Sequence, residues 1–258
     1  MNLLLTNDDG YGAEGLTILA EKLSKRHKVF VIAPAGNRSA VSHHFSMYNE
    51  LSVKKVGENQ WTCSGYPADC VSLGINGDLI NEKIDAVISG INAGGNMGTD
   101  IVYSGTCAAA RQAILDNIPS VAFSLDPVSW ATIKEDGFKF NALADFAEKN
   151  IETLISFAKT TYPRQFVNVN GISADSYKGF KFTDSLCKRE YHDKINVFPV
   201  ESKTDEFMTK FIPGNGNTVC SENGDHQVVR DGFISINLVY ADPVCSSIDA
   251  VDCIKLSL

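Results

Sequence analysis

Asn2-Leu3-Leu4-Leu5-Thr6-Asn7-Asp8-Asp9-Gly10 begins as a short apolar run and stops abruptly at an amide, two carboxylates and a glycine. The residues immediately after it decide the fold. An Asp-Gly pair set between two alternating apolar runs marks a β-hairpin. Here, instead, Leu16, Leu19, Ala20 and Leu23 recur at i, i+3, i+4 and i+7, which is the buried face of an amphipathic helix. The next apolar run, Val29 to Ala33, closes at Pro34. Strand, helix and strand in that order form a βαβ opening, which requires a parallel sheet covered by helices.

Working outward, the unit repeats. Ile84 to Ile88 reads as a strand, Ser89 to Gly105 as a Gly/Asn-rich loop, the stretch through Arg111 to Asp116 as a helix, and Pro119 to Phe123 as another strand. Between the two units, Leu51 to Val56 and Gln60 to Cys63 resemble a hairpin around Gly57-Glu58-Asn59, followed by a helix from Pro67 to Ile75. Residues 139 to 159 carry a helical stripe on Phe140, Leu143, Phe146, Ala147, Ile151, Leu154 and Ile155. After about 165 the texture changes to short strand-like pieces (Phe166 to Val169, Ile195 to Phe198, Phe233 to Tyr240) separated by turn-rich stretches such as Pro213-Gly214-Asn215-Gly216-Asn217. The expected fold class is α/β, a Rossmann-like parallel sheet core with helices on both faces and a C-terminal β-rich extension. Residues 1–165 form the core, and 166–258 extend the same domain as an oligomerisation arm.

The chain has 258 residues, enough to bury a sizeable core, with 23 Lys plus Arg against 31 Asp plus Glu. A net charge of -8 argues against a binder of nucleic-acid polymers or membrane surfaces, because both need clustered cations. The N-terminus has no basic start and no apolar run long enough for a membrane span, so a cytoplasmic location is expected. Seven cysteines with no C-x-x-C pair fit reduced thiols better than a disulfide framework or a zinc ribbon.

In an open parallel sheet, ligands bind beyond the carboxyl ends of the strands. Three loops qualify: Asp8-Asp9-Gly10, Pro34 to Ser39, and Ser89 to Thr106. Adjacent carboxylates at a strand end repel one another and lose hydration, so a divalent cation is the simplest compensation. The oxygen donors available, from Asp, Ser and Asn, favour a hard ion such as Mg²⁺ or Mn²⁺. Ser104-Gly105-Thr106 opens a helix with small residues, which is either a phosphate site or an ordinary N-cap. His43-His44 are rival ligands, but an adjacent pair in a loop does not easily aim both rings at one ion.

Asn7-Asp8-Asp9-Gly10, Ala33-Pro34 with Arg38-Ser39, Gly65 to Cys70, Ser89-Gly90-Ile91-Asn92 with Gly94 and Asn96, and Tyr103-Ser104-Gly105-Thr106 resemble, in order and spacing, the SurE family. The resemblance is strong from 1 to about 125 and returns around Gly232 to Ile236. It implies a metal-dependent 5'-nucleotidase acting on nucleoside monophosphates. By position it implies one divalent ion per subunit held by Asp8, Asp9, Ser39 and Asn92, with Asp8 and Asp9 catalytic and Asn96, Ser104, Gly105 and Thr106 lining the phosphate pocket. It also implies a homodimer or homotetramer built through the C-terminal extension. Four positions depart from the family pattern: Ala40 and Tyr66 stand where Gly and Thr are usual, and Cys107 and Asn237 where Val and Pro are usual. Arg38 is the side chain expected to add positive potential at the phosphate. The alternative is a regulatory module that binds nucleotide and metal without turnover.

Overall fold

The computed structural model describes residues 1–184, 186–190, 193–201, 203, 205–212, 214 and 217–244. Strand β1 (Asn2–Thr6), helix α1 (Glu14–Ser24) and strand β2 (Lys28–Pro34) form the opening βαβ unit, with β1 and β2 parallel. A hairpin of β3 (Val53–Gly57) and β4 (Gln60–Cys63) adds to β2, and α2 (Pro67–Asn76) returns the chain across the sheet. The second unit runs through β5 (Ala86–Ala93), a 3-10 turn at Gly98–Val102, α3 (Gly105–Leu115) and β6 (Ser120–Asp126). After the one-turn α4 (Ile133–Asp136) and the long α5 (Asn141–Phe157), β7 (Gln165–Ile172) continues the parallel sheet beside β6.

The remaining elements are β8 (Phe180–Phe182), β9 (Lys188–Glu190), β10 (Lys194–Pro199), β11 (Phe207–Ile212), β12 (Asn217–Val219), α6 (Asp225–Arg230) and β13 (Ile234–Tyr240). The main sheet has nine strands in the order β3-β4-β2-β1-β5-β6-β7-β13-β8. Strand β13 runs antiparallel to β7, and β10–β11 and β9–β12 form separate two-stranded ladders. The point at 165 where the texture changes is the first residue of β7, so one sheet continues across it. None of the described helices is long and apolar enough to cross a membrane.

Helices cover both faces. On one, Leu16, Leu19 and Leu23 of α1 and Leu143, Ala147 and Ile151 of α5 pack on Leu3, Leu5, Ile88 and Val121. On the other, Cys70 and Val71 of α2 and Ala109 and Ala113 of α3 meet Leu4, Ile32 and Val87. Alternate residues of β1 therefore feed opposite cores, as the two-residue period of a strand requires.

One expectation is corrected. Cys187 and Cys220 are joined in a disulfide, whereas the cysteine pattern favours reduced thiols. A sequence separation of 33 hides the pairing in the sequence. The short antiparallel β9–β12 ladder matches Lys188 with Val219, so the residues just beyond it fall opposite one another. Cys63, Cys70 and Cys107 are free and buried. Cys245 and Cys253 lie outside the described residues, as do Pro213, Asn215 and Gly216 of the turn-rich stretch.

Candidate functional site

The turn after β1 is shaped by Asn7, which the sequence places in a motif without showing what it does. Its side chain donates to the Gly10 carbonyl (3.0 Å) and accepts from the Gly10 amide (3.2 Å), closing the turn that carries the two aspartates. Gly10 holds a φ of +103°, and a Cβ there would meet the Gly36 backbone at 2.9 Å. Asp8 is 3% exposed and Asp9 is partly buried. The Asp8 carboxylate accepts the Thr106 hydroxyl at 2.5 Å, and Asp9 accepts the Ala93 amide at 3.0 Å. Burial above all, then the charge of Asp9, pushes Asp8 up to about 6 against the opposing pull of the Thr106 hydrogen bond. Burial also raises Asp9.

Asp8 opens on a cavity of about 480 Å³ that Ser39, Asn92, Asn96, Asp100 and Ser104 also line. Three of the four residues expected as metal ligands, Asp8, Ser39 and Asn92, thus border one space, with Asp9 adjoining Asp8 in the chain, together with two of the four expected at the phosphate. Among the described residues no Lys, Arg or His forms an ion pair with Asp8 or Asp9. Two carboxylates without a cationic partner, one nearly out of water, together with hydroxyl and amide oxygens, make a donor set suited to a hard divalent cation. A larger cavity of about 690 Å³ lies between the end of α5 and β13. It sits by Gln165 and Tyr240, at the opposite end of the sheet from the strand termini where the carboxylates stand.

Asn96 is fixed by four hydrogen bonds: its amide N–H to Asn170 Oδ1, its Nδ2 to Ser124 Oγ, and its carbonyl from Asn168 and Asn170 Nδ2. Asn168 and Asn170 alternate with valines in β7, and buried polar residues inside an otherwise apolar strand are the signal that could have found them. Asp225 of α6 clamps the same loop, accepting the Gly98 amide at 2.6 Å.

The opening of α3 divides its roles. Ser104 is the N-cap, accepting the Cys107 amide at 2.9 Å, while both the hydroxyl and the amide of Thr106 go to Asp8. Gly105 lets the helix end approach, since a Cβ there would lie 2.8 Å from Cβ of Asp8. Gly105 and Thr106 therefore brace a carboxylate and are not among the residues that line the cavity. Arg38 turns away as well. Its guanidinium lies over the Tyr66 ring at 5.1 Å and donates to the Ser64 carbonyl at 3.0 Å, although its backbone N–H donates to the Asp8 carbonyl at 2.6 Å. The histidines diverge, His43 to Gln112 of α3 and His44 onto the Tyr66 ring, and neither lines the cavity.

A family model described as Survival protein SurE matches residues 3–193, well over half of the chain. The chain belongs to the SurE family. The 5'-nucleotidase SurE of Clostridium botulinum (strain Alaska E43 / Type E3) is 35% identical over 254 residues, covering 94% of each protein. That of Treponema pallidum (strain Nichols) is 42% identical over 181 residues, covering 69% of this chain and 93% of the relative. The crystal structure of SurE protein from Aquifex aeolicus matches with a TM-score of 0.77 at 29% identity, covering 95% of each chain. Within this SurE fold the departures from the family pattern have local consequences. Ala40 takes a φ of +57°, a conformation suited to glycine. Tyr66 caps α2 without a hydroxyl in reach, and Asp69 compensates by accepting the Tyr66 amide at 2.8 Å. Asn237 donates to Thr183 at 3.1 Å across the β8 side of the sheet.

Proposed function

We propose that the protein is a metal-dependent 5'-nucleotidase, hydrolysing the phosphomonoester of nucleoside 5'-monophosphates. The observation that carries this is the buried Asp8 beside Asp9 at the end of β1, without a cationic partner among the described residues and sharing a cavity with Ser39, Asn92, Asn96 and Ser104. The relatives named as 5'-nucleotidases support the substrate class.

Asp8, Asp9, Ser39 and Asn92 would hold one divalent ion, and their all-oxygen chemistry favours Mg²⁺ or Mn²⁺. Such an ion supplies Lewis-acid polarisation of the phosphoryl group and lowers the pKa of water. Asp8 is aimed by Thr106, so its orientation costs no rearrangement on binding. Because Ser104 already accepts an amide N–H, its own hydroxyl proton is available to a phosphoryl oxygen. With both carboxylates committed to holding the ion, neither would be free to attack in line, and water would be the nucleophile.

The test is phosphate release from adenosine 5'-monophosphate, with Mg²⁺ or Mn²⁺ and with chelator. Release that stops on chelation is expected. Asp8→Asn and Asp9→Asn should each cut turnover by orders of magnitude while circular dichroism stays native. Near-normal turnover in either variant refutes the site, and absence of release with thermal stabilisation by nucleotide retained indicates binding without catalysis.

A further inference from the structure

Two aromatic rings stand at the rim of the carboxylate cavity, and a phosphate group needs neither. Trp130 and Tyr103 are 59% and 61% exposed, and both line the cavity shared by Asp8, Ser39, Asn92 and Ser104. Large rings ordinarily gain most from leaving water. The other tryptophan, Trp61, shows this by lying 8% exposed in the core.

Trp130 is nevertheless held in place. The outer edge of its six-membered ring packs over Gly94, where a Cβ would lie 3.6 Å from Cη2 and 3.9 Å from Cζ2. Phe138 meets the indole edge-on at 6.5 Å and 75°, and itself stacks on Phe140 at 5.5 Å. Phe140 belongs to the core under α1 and α5. The ring is therefore anchored through an aromatic chain to the rigid sheet, while much of its surface remains in solvent beside the proposed phosphate position. A restrained, open aromatic surface next to an anion site is the arrangement that binds a nucleobase, because every base has a π-face and stacking needs no hydrogen-bond pattern.

We infer that Trp130 is the stacking platform for the nucleobase and that it selects purine over pyrimidine nucleoside monophosphates. The assignment rests on the nucleotidase reading. The preference comes from area, since two fused rings cover more of an indole than one ring does. Removing an aromatic partner from a stacked base weakens binding by about fivefold to 150-fold.

The test compares adenosine 5'-monophosphate, cytidine 5'-monophosphate and the base-free ribose 5-phosphate on metal-loaded wild type, Trp130→Ala and Trp130→Phe. In Trp130→Ala, KM for the adenine nucleotide should rise about tenfold or more with kcat little changed. The purine-to-pyrimidine ratio of kcat/KM should fall toward one, and kcat/KM for ribose 5-phosphate should stay unchanged. Trp130→Phe should recover most of the loss. Parallel losses on all three substrates, or none, overturn the assignment. A second readout needs no turnover: adenosine 5'-monophosphate should quench tryptophan emission in wild type, ribose 5-phosphate should not, and the quench should vanish in Trp130→Phe, where only the buried Trp61 remains. Absence of the adenine quench in wild type refutes the platform. Absence of phosphate release with the quench intact refutes the nucleotidase reading and leaves the platform standing.

Discussion

At Ala40 the backbone holds a φ of +57°, next to the serine expected to ligate the metal. A side chain in the left-handed region costs roughly 1–2 kcal/mol, partly offset in glycine by the greater freedom of the unfolded chain. Ala40→Gly is expected to raise stability by about 1 kcal/mol, or about 2–4 °C in Tm, with turnover little changed. A calorimetric scan checks it, and a lower Tm counts against it. The family resemblance points Thr106 at the phosphate, whereas the residues alone leave phosphate site and N-cap open, because a hydroxyl at a helix N-terminus has several acceptors within reach. The structure gives it to Asp8. Thr106→Val should therefore weaken Mn²⁺ binding by about 10- to 100-fold, measured by titration calorimetry, rather than act on the phosphate alone. Unchanged metal affinity would show that the Thr106 hydroxyl does not support the ion through Asp8. Asp8 itself gives a pH signature. Burial raises its folded pKa to about 6 from 3.8, so in metal-free protein its contribution to stability is intact below about pH 4 and is lost as pH rises through about 6. Metal-free Asp8→Asn should then exceed wild type at pH 7 by at most about 3 kcal/mol, with the gap closing toward pH 4 in denaturant titrations. A gap independent of pH would show that the Asp8 carboxylate is not the group destabilised by burial.

Among the elements, the opening βαβ unit is legible because apolar spacing and chain order together leave one arrangement. By pattern, strand β5 ends at Ile88, since Gly and Asn look like loop. The backbone instead shifts register against β6 between Ser89 and Asn92 and keeps pairing, and that continuation delivers Asn92 to the site. The three-residue strands β8, β9 and β12 leave no signal in the sequence, because so few residues show no period and their partners lie far away along the chain. The two-residue alternation of β11 becomes visible only beside β10, where the register fixes which side chains share a face. Helix α1 shows how closely the layers fit. A Cβ on Gly15 would stand 2.0 Å from the Ile91 carbonyl oxygen, a backbone atom that has little freedom to move. Gly15→Ala should push α1 off β5 and cost about 1–3 kcal/mol. It should lower Tm by several degrees and disturb the neighbouring Asn92. A Tm equal to wild type would show that the helix can slide without penalty.

For the whole molecule, the feature without an internal explanation is the hairpin of β10 and β11, whose residues are exposed along both strands. The register pairs Ile195 with Phe211, Val197 with Thr209 and Pro199 with Phe207, so these six side chains share one face. That face is almost wholly apolar, while the other mixes Lys194, Asn196 and Lys210 with Phe198, Met208 and Ile212. An isolated two-stranded ribbon is marginal in water, and an exposed apolar strand face is an aggregation hazard unless something covers it. A second copy of the chain is the simplest cover, which agrees with the oligomerisation arm expected from the sequence and narrows it. Strand β12 pairs with β9 and α6 holds Gly98 through Asp225, so the segment from 217 to 230 supports the site and is not free to serve as a removable arm. Replacing residues 194–212 by a short Gly/Ser linker should yield monomers that keep native circular dichroism, whereas full-length protein at micromolar concentration should show at least a dimeric mass by light scattering. Ile195→Lys with Phe211→Lys should give the same monomers without shortening the chain, because two buried like charges would face the partner across the ribbon. A monomeric mass for the full-length protein would leave the apolar face uncovered and refute the assembly.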